Sequence, residues 1–170
     1  QLCHSKNKGE YRIMAHHYDD YRAYPEAKKR IMVSGGFDPI HKGHIRMIRE
    51  ATKKGEVIVV VNSDAWLIRK KGFVFMPFEE RVEIIQSIKG VRDTQVIGID
   101  DSDNTVCEAL RKYRPHCFAN GGDRTNTNTP EMAVCEELGI EMLWEVGGDK
   151  VQSSSTLTKG HIPKTNKPVC

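Results

Sequence analysis

The chain has 170 residues, 38% hydrophobic and 29% charged, with 26 basic against 23 acidic side chains and a net charge of +3. That apolar fraction supports a packed core and excludes a disordered or fibrous chain. The charge is too mild for a binder of nucleic-acid backbones, which concentrates far more positive charge.

The longest aliphatic run, Val57-Ile58-Val59-Val60-Val61, falls far short of the ~20 residues that cross a bilayer. No apolar segment follows the basic N-terminus as it does in a signal peptide. The five cysteines (Cys3, Cys107, Cys117, Cys135, Cys170) include no C-x-x-C pair. Structural disulfides and a zinc site are therefore not expected, and a reducing, cytoplasmic setting is.

Residues 1–29 read as a polar extension without a clear period, holding Tyr11, Tyr18, Tyr21 and Tyr24 together with His4, His16 and His17. From Arg30 the pattern alternates. Ile31-Met32-Val33 predicts a short strand broken by Ser34-Gly35-Gly36. A helix over 44–54 follows, with Ile45, Ile48 and Ala51 near a 3.6 period and Gly55 at its C-cap. Residues 57–61, continuously β-branched or aliphatic, predict a parallel strand covered on both faces. Pro77 opens a helix through Lys89 that Gly90 ends. A third strand is expected over 94–99, a helix over 105–113 stopped by Pro115, and a fourth strand over 116–119. Thr129 and Pro130 read as N-cap and first residue of a helix that closes at Gly139. A fifth strand spans 140–146. This rhythm predicts an α/β fold of one domain over 30–157, a Rossmann-like doubly wound sheet of five parallel strands, with a polar tail over 158–170. In such sheets ligands bind beyond the carboxyl ends of the strands, so the loops after strands one, two, four and five form the site.

The first of these loops is Gly35-Gly36-Phe37-Asp38-Pro39-Ile40-His41-Lys42-Gly43-His44. Two glycines let backbone amides approach an anion. His41 and His44 stand at a helix start, where the dipole and open N–H groups favour a phosphate. Gly43 between them removes a Cβ that would crowd a ligand.

This loop resembles the G-x-F-D-x-x-H-x-G-H signature of cytidylyltransferase-like nucleotidyltransferases, a superfamily that includes glycerol-3-phosphate cytidylyltransferase and the adenylyltransferase domain of ADP-heptose synthase. The resemblance runs over about residues 30–157. Val61-Asn62-Ser63-Asp64-Ala65, Lys71-Gly72, Glu79-Glu80-Arg81, Gly121-Gly122-Asp123 and Ser153-Ser154-Ser155-Thr156 resemble further motifs of that family in the same order. Each is weak alone, since N-S-D is a common turn and Arg69-Lys70-Lys71 reads equally as a solvated charge run. Their order at successive strand ends makes the joint signal specific.

The resemblance implies attack by a phosphate monoester on the α-phosphate of CTP or ATP, with pyrophosphate released. The nucleophile is already anionic near neutral pH because its second pKa is about 6, so no general base is required. The resemblance assigns His41, His44 and Lys71 to catalysis. It assigns Gly35, Gly36, Phe37, Asp38, Gly43, Asn62, Arg81, Gly121, Gly122, Asp123, Ser153, Ser154, Ser155 and Thr156 to the nucleotide, with Arg81 holding a phosphate. Lys42 and Asp64 fall to the substrate. No protein metal ligands are implied: Mg2+ would be held mainly by nucleotide phosphates. The implied partners are a nucleoside triphosphate and a phosphorylated sugar or polyol, with neither nucleic acid nor membrane, in a homodimer.

Three features depart from the family pattern. The stretch between Lys71 and Arg81 is short and carries Phe73, Phe75 and Phe78. Lys150 is the nearest cation where an arginine usually precedes the serine run. Gly160, Pro163 and Pro168 prevent a long helix after Ser155. The weakened C-terminal motif leaves a second reading open, a non-catalytic nucleotide-binding module acting through the 1–29 arm. A fragment of a class I aminoacyl-tRNA synthetase fails on length and on the missing second, lysine-containing signature.

Overall fold

A computed structural model describes residues 28–92, 96–100, 102–121 and 129–160. Five strands, β1 (Arg30–Gly35), β2 (Glu56–Asn62), β3 (Val96–Ile99), β4 (Cys117–Ala119) and β5 (Glu141–Leu143), form one sheet in the order β3-β2-β1-β4-β5. Every pairing is parallel, with Ile31 opposite Val57 and Cys117, and Val33 opposite Val59 and Ala119. The helices are α1 (Lys42–Lys54), α2 (Asp64–Lys71), α3 (Phe78–Gln86), α4 (Cys107–Tyr113), α5 (Pro130–Leu138) and α6 (Ser154–Leu157).

The two-residue period of the strands divides the core. Ile31, Val33, Val57, Val59 and Val61 face one way and pack on Ile48 and Ala51 of α1 and Ile85 of α3. Met32, Ile58, Val60, Ile97 and Phe118 face the other way and meet Leu110 of α4 and Val134 and Cys135 of α5. Cover on both faces is why the central strands are continuously apolar. The chain builds outward from β1 to β3, then returns to β1's other edge for β4. Loops leaving β1 and β4 therefore diverge, and a crevice opens between them at the carboxyl end of the sheet.

Several element boundaries differ from expectation. An additional helix, α2, occupies the stretch after the Asn62-Ser63-Asp64 motif. Ser63 Oγ caps it by accepting from Trp66 N, and Gly72 ends it in the left-handed region at φ 88°. Pro77 is the N-cap of α3 rather than its first helical residue, and α3 ends at Gln86, short of Lys89. Gly55 closes α1 in an extended conformation, φ 170°. Its glycine requirement comes from crowding, since a Cβ there would lie 2.0 Å from Lys29 O. Strand β5 is cut to three residues because Glu145, Gly147 and Gly148 all take positive φ and twist the chain out of the sheet. The C-terminal helix α6 has four residues, the short element expected from the following glycine and prolines. No helix among the described residues is long and apolar enough to cross a membrane. Most of the 1–29 extension and of the 158–170 tail lies outside the described residues.

Candidate active site

A cleft of about 530 Å³ opens at the crevice between β1 and β4. It is lined by the first loop, by Trp66, Leu67 and Lys71 of α2, by the residues after β4, and by residues 146–155. His41 is the N-cap of α1, with extended backbone. Gly43 N donates to its Nδ1 at 3.1 Å, and His41 N donates to His44 Nδ1 at 3.3 Å. This reciprocal arrangement is a capping box built from imidazoles. The two rings stack with centroids 3.8 Å apart and an interplanar angle of 19°, and the edge of Phe37 supports His44 at 5.0 Å.

The capping fixes the chemistry of both rings. A neutral imidazole whose Nδ1 accepts a hydrogen bond carries its proton on Nε2. Each ring thus carries its proton on the Nε2 edge away from the cap, and both rings line the cleft. The helix amides that sequence reasoning offered to a phosphate are partly spent on the histidines, and the imidazoles extend that donor function into the cleft.

Below them the floor is charged and tightly bonded. Asp38 is 1% exposed. Its carboxylate accepts from Phe75 N at 2.9 Å and Met76 N at 2.5 Å and pairs with Lys71 Nζ at 2.6 Å. Lys71 also donates to Asp38 O at 2.7 Å. An ammonium has three donors, so two are committed and one is left for a ligand in the cleft that Lys71 lines.

Arg81, expected to hold a phosphate, is instead fully buried and does not line the cleft. Its Nη1 donates to Gly36 O and Asn62 O, both at 2.7 Å, its Nε to Met76 O at 2.9 Å, and its Nη2 to Asp64 at 2.5 Å. Four of its five N–H groups are thereby spent on tying the ends of β1 and β2 to α2 and the 72–77 loop. Asp64, expected at the substrate, is the other half of this knot and also accepts from Phe78 N. Nearby, Arg69 and Ser63 bond Asp100 at 2.7 Å each, pinning α2 to the end of β3 and holding the Asp100 carboxyl below its usual range.

The remaining predicted residues divide. Gly35, Gly36, Phe37, Asp38, Gly43, Gly121, Ser153, Ser154 and Ser155 line the cleft together with His41, His44 and Lys71. Ser154 Oγ donates to Pro39 O at 2.9 Å, which brings the serine run against the first loop. Thr156 N is capped by Ser153 Oγ at 3.1 Å, and neither Thr156 nor the buried Asn62 lines the cleft. Lys42 is exposed on the first turn of α1, outside the lining. Gly122 and Asp123 lie outside the described residues.

Sequence reasoning missed Trp66, Asn120, Gly147, Gly148, Asp149 and Gln152, all of which line the cleft. The Gly147-Gly148 pair was a readable signal, because it repeats after the fifth strand what Gly35-Gly36 does after the first. A Cβ on Gly147, at φ 93°, would lie 2.7 Å from Met47 N, so only glycine lets this wall close against α1.

The chain is similar to several known proteins. A family model described as cytidylyltransferase-like matches residues 32–159. The bifunctional protein HldE of Desulfatibacillum aliphaticivorans is 31% identical over 117 residues, 67% of this chain and 23% of that protein. An FAD synthase of Ferroglobus placidus is 32% identical over 96 residues, 56% of this chain and 60% of that protein. Among solved structures, a lipopolysaccharide core biosynthesis protein from Thermoplasma volcanium GSS1 superposes with a TM-score of 0.57 at 26% identity, covering 69% of this chain and 94% of that one. The chain spans under two thirds of the length of both curated relatives.

Proposed function

This chain belongs to the cytidylyltransferase-like family, and on that premise we propose that it transfers a nucleoside monophosphate from CTP or ATP to a phosphorylated sugar or polyol, releasing pyrophosphate. The observation that carries the reading is the imidazole capping box, which stacks two Nδ1-accepting rings in the lining of one cleft. An α-phosphate set against these rings receives a hydrogen bond from each, and both strengthen as charge builds on its oxygens in the transition state. The acceptor phosphate is ionised before it binds, so the chain's task is positioning and charge neutralisation around an in-line displacement.

Lys71 supplies its third N–H to a phosphate oxygen while Asp38 keeps the ammonium in place. The hydroxyl of Ser155, at the cleft rim, suits the outer phosphates, while Ser154 spends its one O–H on Pro39 O and holds the serine run beside the first loop. Mg2+, held mainly by the nucleotide phosphates, would offset their charge. No cluster of three or more metal-binding side chains occurs among the described residues. Asp149, exposed at the rim, is a carboxylate that would meet the ion's water shell. The family resemblance also favours a homodimer, which light scattering would test.

The test is pyrophosphate release from CTP or ATP with Mg2+ and a panel of phosphorylated sugars and polyols. Turnover that disappears in His44→Ala supports the assignment. Nucleotide binding without turnover on any acceptor would favour a non-catalytic binding module.

A further inference from the structure

At the opposite end of the sheet from the cleft, a groove of about 620 Å³ opens where β1 and β2 begin. Three separate stretches of chain bring cations to it. Lys28 and Lys29 precede β1, Arg49, Lys53 and Lys54 lie along α1, and Lys89 and Arg92 follow α3. All seven are exposed. Seven basic side chains against a net charge of +3 for the whole chain mean that positive charge is concentrated on this face. Two glycines hold the stretches together. A Cβ on Gly55 would lie 2.0 Å from Lys29 O, and one on Gly90, at φ 96°, would lie 3.1 Å from the Thr52 side chain. Glu56 N also donates to Lys29 O at 2.8 Å. Three carboxylates reach the cations: Glu50 pairs with Lys53 at 2.5 Å, Glu141 with Lys29 at 3.6 Å and Glu56 with Arg92 at 3.7 Å. Pairs this exposed contribute little to stability. Among the described residues no ion pair engages Lys28, Arg49, Lys54 or Lys89. Lys53 and Lys54 offset the negative end of the α1 dipole, which leaves the other five cations without that explanation. Like charges crowded together repel, so the groove weakens the fold until an anion enters it.

We propose that this groove docks an acidic segment of a partner protein, rich in Asp and Glu, at a site separate from the nucleotidyl-transfer cleft and independent of that reading. Three features of the lining choose among anions. It holds no aromatic side chain on which a nucleobase could stack. It holds no apolar side chain that could enter a bilayer, and its cations surround a concavity that a flat membrane surface would not fill. A compact phosphate is also poorly matched. The carbonyl end of α1 and the carboxylates of Glu50 and Glu56 stand beside the cations. Five of the seven cations are lysines, which lack the planar fork that grips phosphate bidentately. Carboxylates spaced along an extended chain can each meet a lysine and avoid those negative groups.

The experiment is fluorescence anisotropy of the full chain with a labelled peptide of alternating Glu and Ser, at low and at physiological salt. Lys28→Glu, Lys54→Glu and Lys89→Glu combined reverse the groove. The same three lysines changed to Gln keep a variant in hand should the reversal fold poorly. Lys70→Glu, Lys112→Glu and Lys159→Glu combined change the net charge equally on other faces. The wild type is expected to bind the peptide, less tightly as salt rises. Groove reversal is expected to weaken binding roughly ten- to a hundredfold. The control triple should stay within about threefold of the wild type, because its charges lie beyond the screening distance. The Gln triple should melt no lower than the wild type, since it relieves repulsion; a lower melting temperature would assign these lysines to the fold and overturn the proposal. Equal loss in the control triple, or no peptide binding at low salt, would overturn the docking site. Tighter binding of a single-stranded RNA of equal charge, or of phosphatidylserine vesicles, lost in the groove variants, would overturn the acidic-protein partner in favour of that class.

Discussion

Lys71 and Asp38 form the ion pair on which the cleft floor is built, Nζ to carboxylate 2.6 Å, with the lysine side chain 24% exposed and the carboxylate side chain fully buried. The pair joins α2 to the first loop, and the same carboxylate holds the amides of Phe75 and Met76. Asp38→Asn keeps one acceptor and sets an NH2 group against a backbone N–H or the ammonium. Breaking a buried pair and leaving its partners unmatched costs about 3–5 kcal/mol when burial is complete. The half-open lysine lowers the expectation to about 2–3 kcal/mol, read as a lower urea midpoint with an unchanged slope. A midpoint equal to the wild type's would show that the floor does not depend on this carboxylate.

The histidines separate structure from catalysis. His44→Ala removes the acceptor for the His41 amide, a capping loss worth about 1 kcal/mol. It also removes one of two donors to developing negative charge, which in comparable sites lowers kcat by roughly 10²–10³-fold. Turnover should therefore collapse in a protein whose melting temperature falls only slightly. Retention of kcat within a few-fold would withdraw the ring from the reaction.

Arg81 makes the opposite prediction. Its guanidinium spans three carbonyls and Asp64 from a fully buried position. Arg81→Lys cannot reproduce this, because an ammonium carries three donors in place of a five-donor planar fork. Loss of the knot is expected to cost on the order of 3 kcal/mol or more, seen as a marked drop in the denaturation midpoint. A phosphate-binding arginine would instead leave stability intact and raise KM for the nucleotide, so stability and KM measured on the same variant decide between the two roles.

The contrast between His44 and Arg81 shows what the amino-acid order exposes and what it hides. His41 and His44 are three residues apart at a helix start, and local spacing alone places them together. The parallel sheet was legible for a similar reason, since a run such as Val57–Val61 needs cover on both faces. Arg81 sits among Glu79, Glu80 and Glu83, which makes it read as part of an exposed charged helix. Its partners, Gly36, Asn62, Asp64 and Met76, are five to 45 residues away, and only folding brings them together. Helix α2 was hidden because it buries a single residue, Leu67, and shows solvent a run of basic side chains. Its signals, Ser63 and Gly72, are both residues that also make plain turns.

The last expectation concerns the thiols in and around the core. Cys135 on α5 is 1% exposed, and burial pushes its thiol up to about 11 from 9.0; burial likewise raises Cys107 and Cys117. In the native protein the buried Cys117 and Cys135 stay protonated and should resist alkylation at pH 8, reacting only once denaturant opens the core. The sign of the stability effect follows from the same shift. The folded state holds the Cys135 proton more tightly than the unfolded chain, so its contribution is fully present below pH 9 and is lost as pH rises from about 9 to 11. For a shift of about two pKa values, that contribution is on the order of 2–3 kcal/mol. Urea midpoints measured from pH 7 to 11 should hold steady to about pH 9 and then fall, and Cys135→Ala should flatten the alkaline limb while lowering the plateau through the small cavity it leaves. An alkaline limb unchanged by Cys135→Ala would mean that other groups set the upper pH limit of the fold.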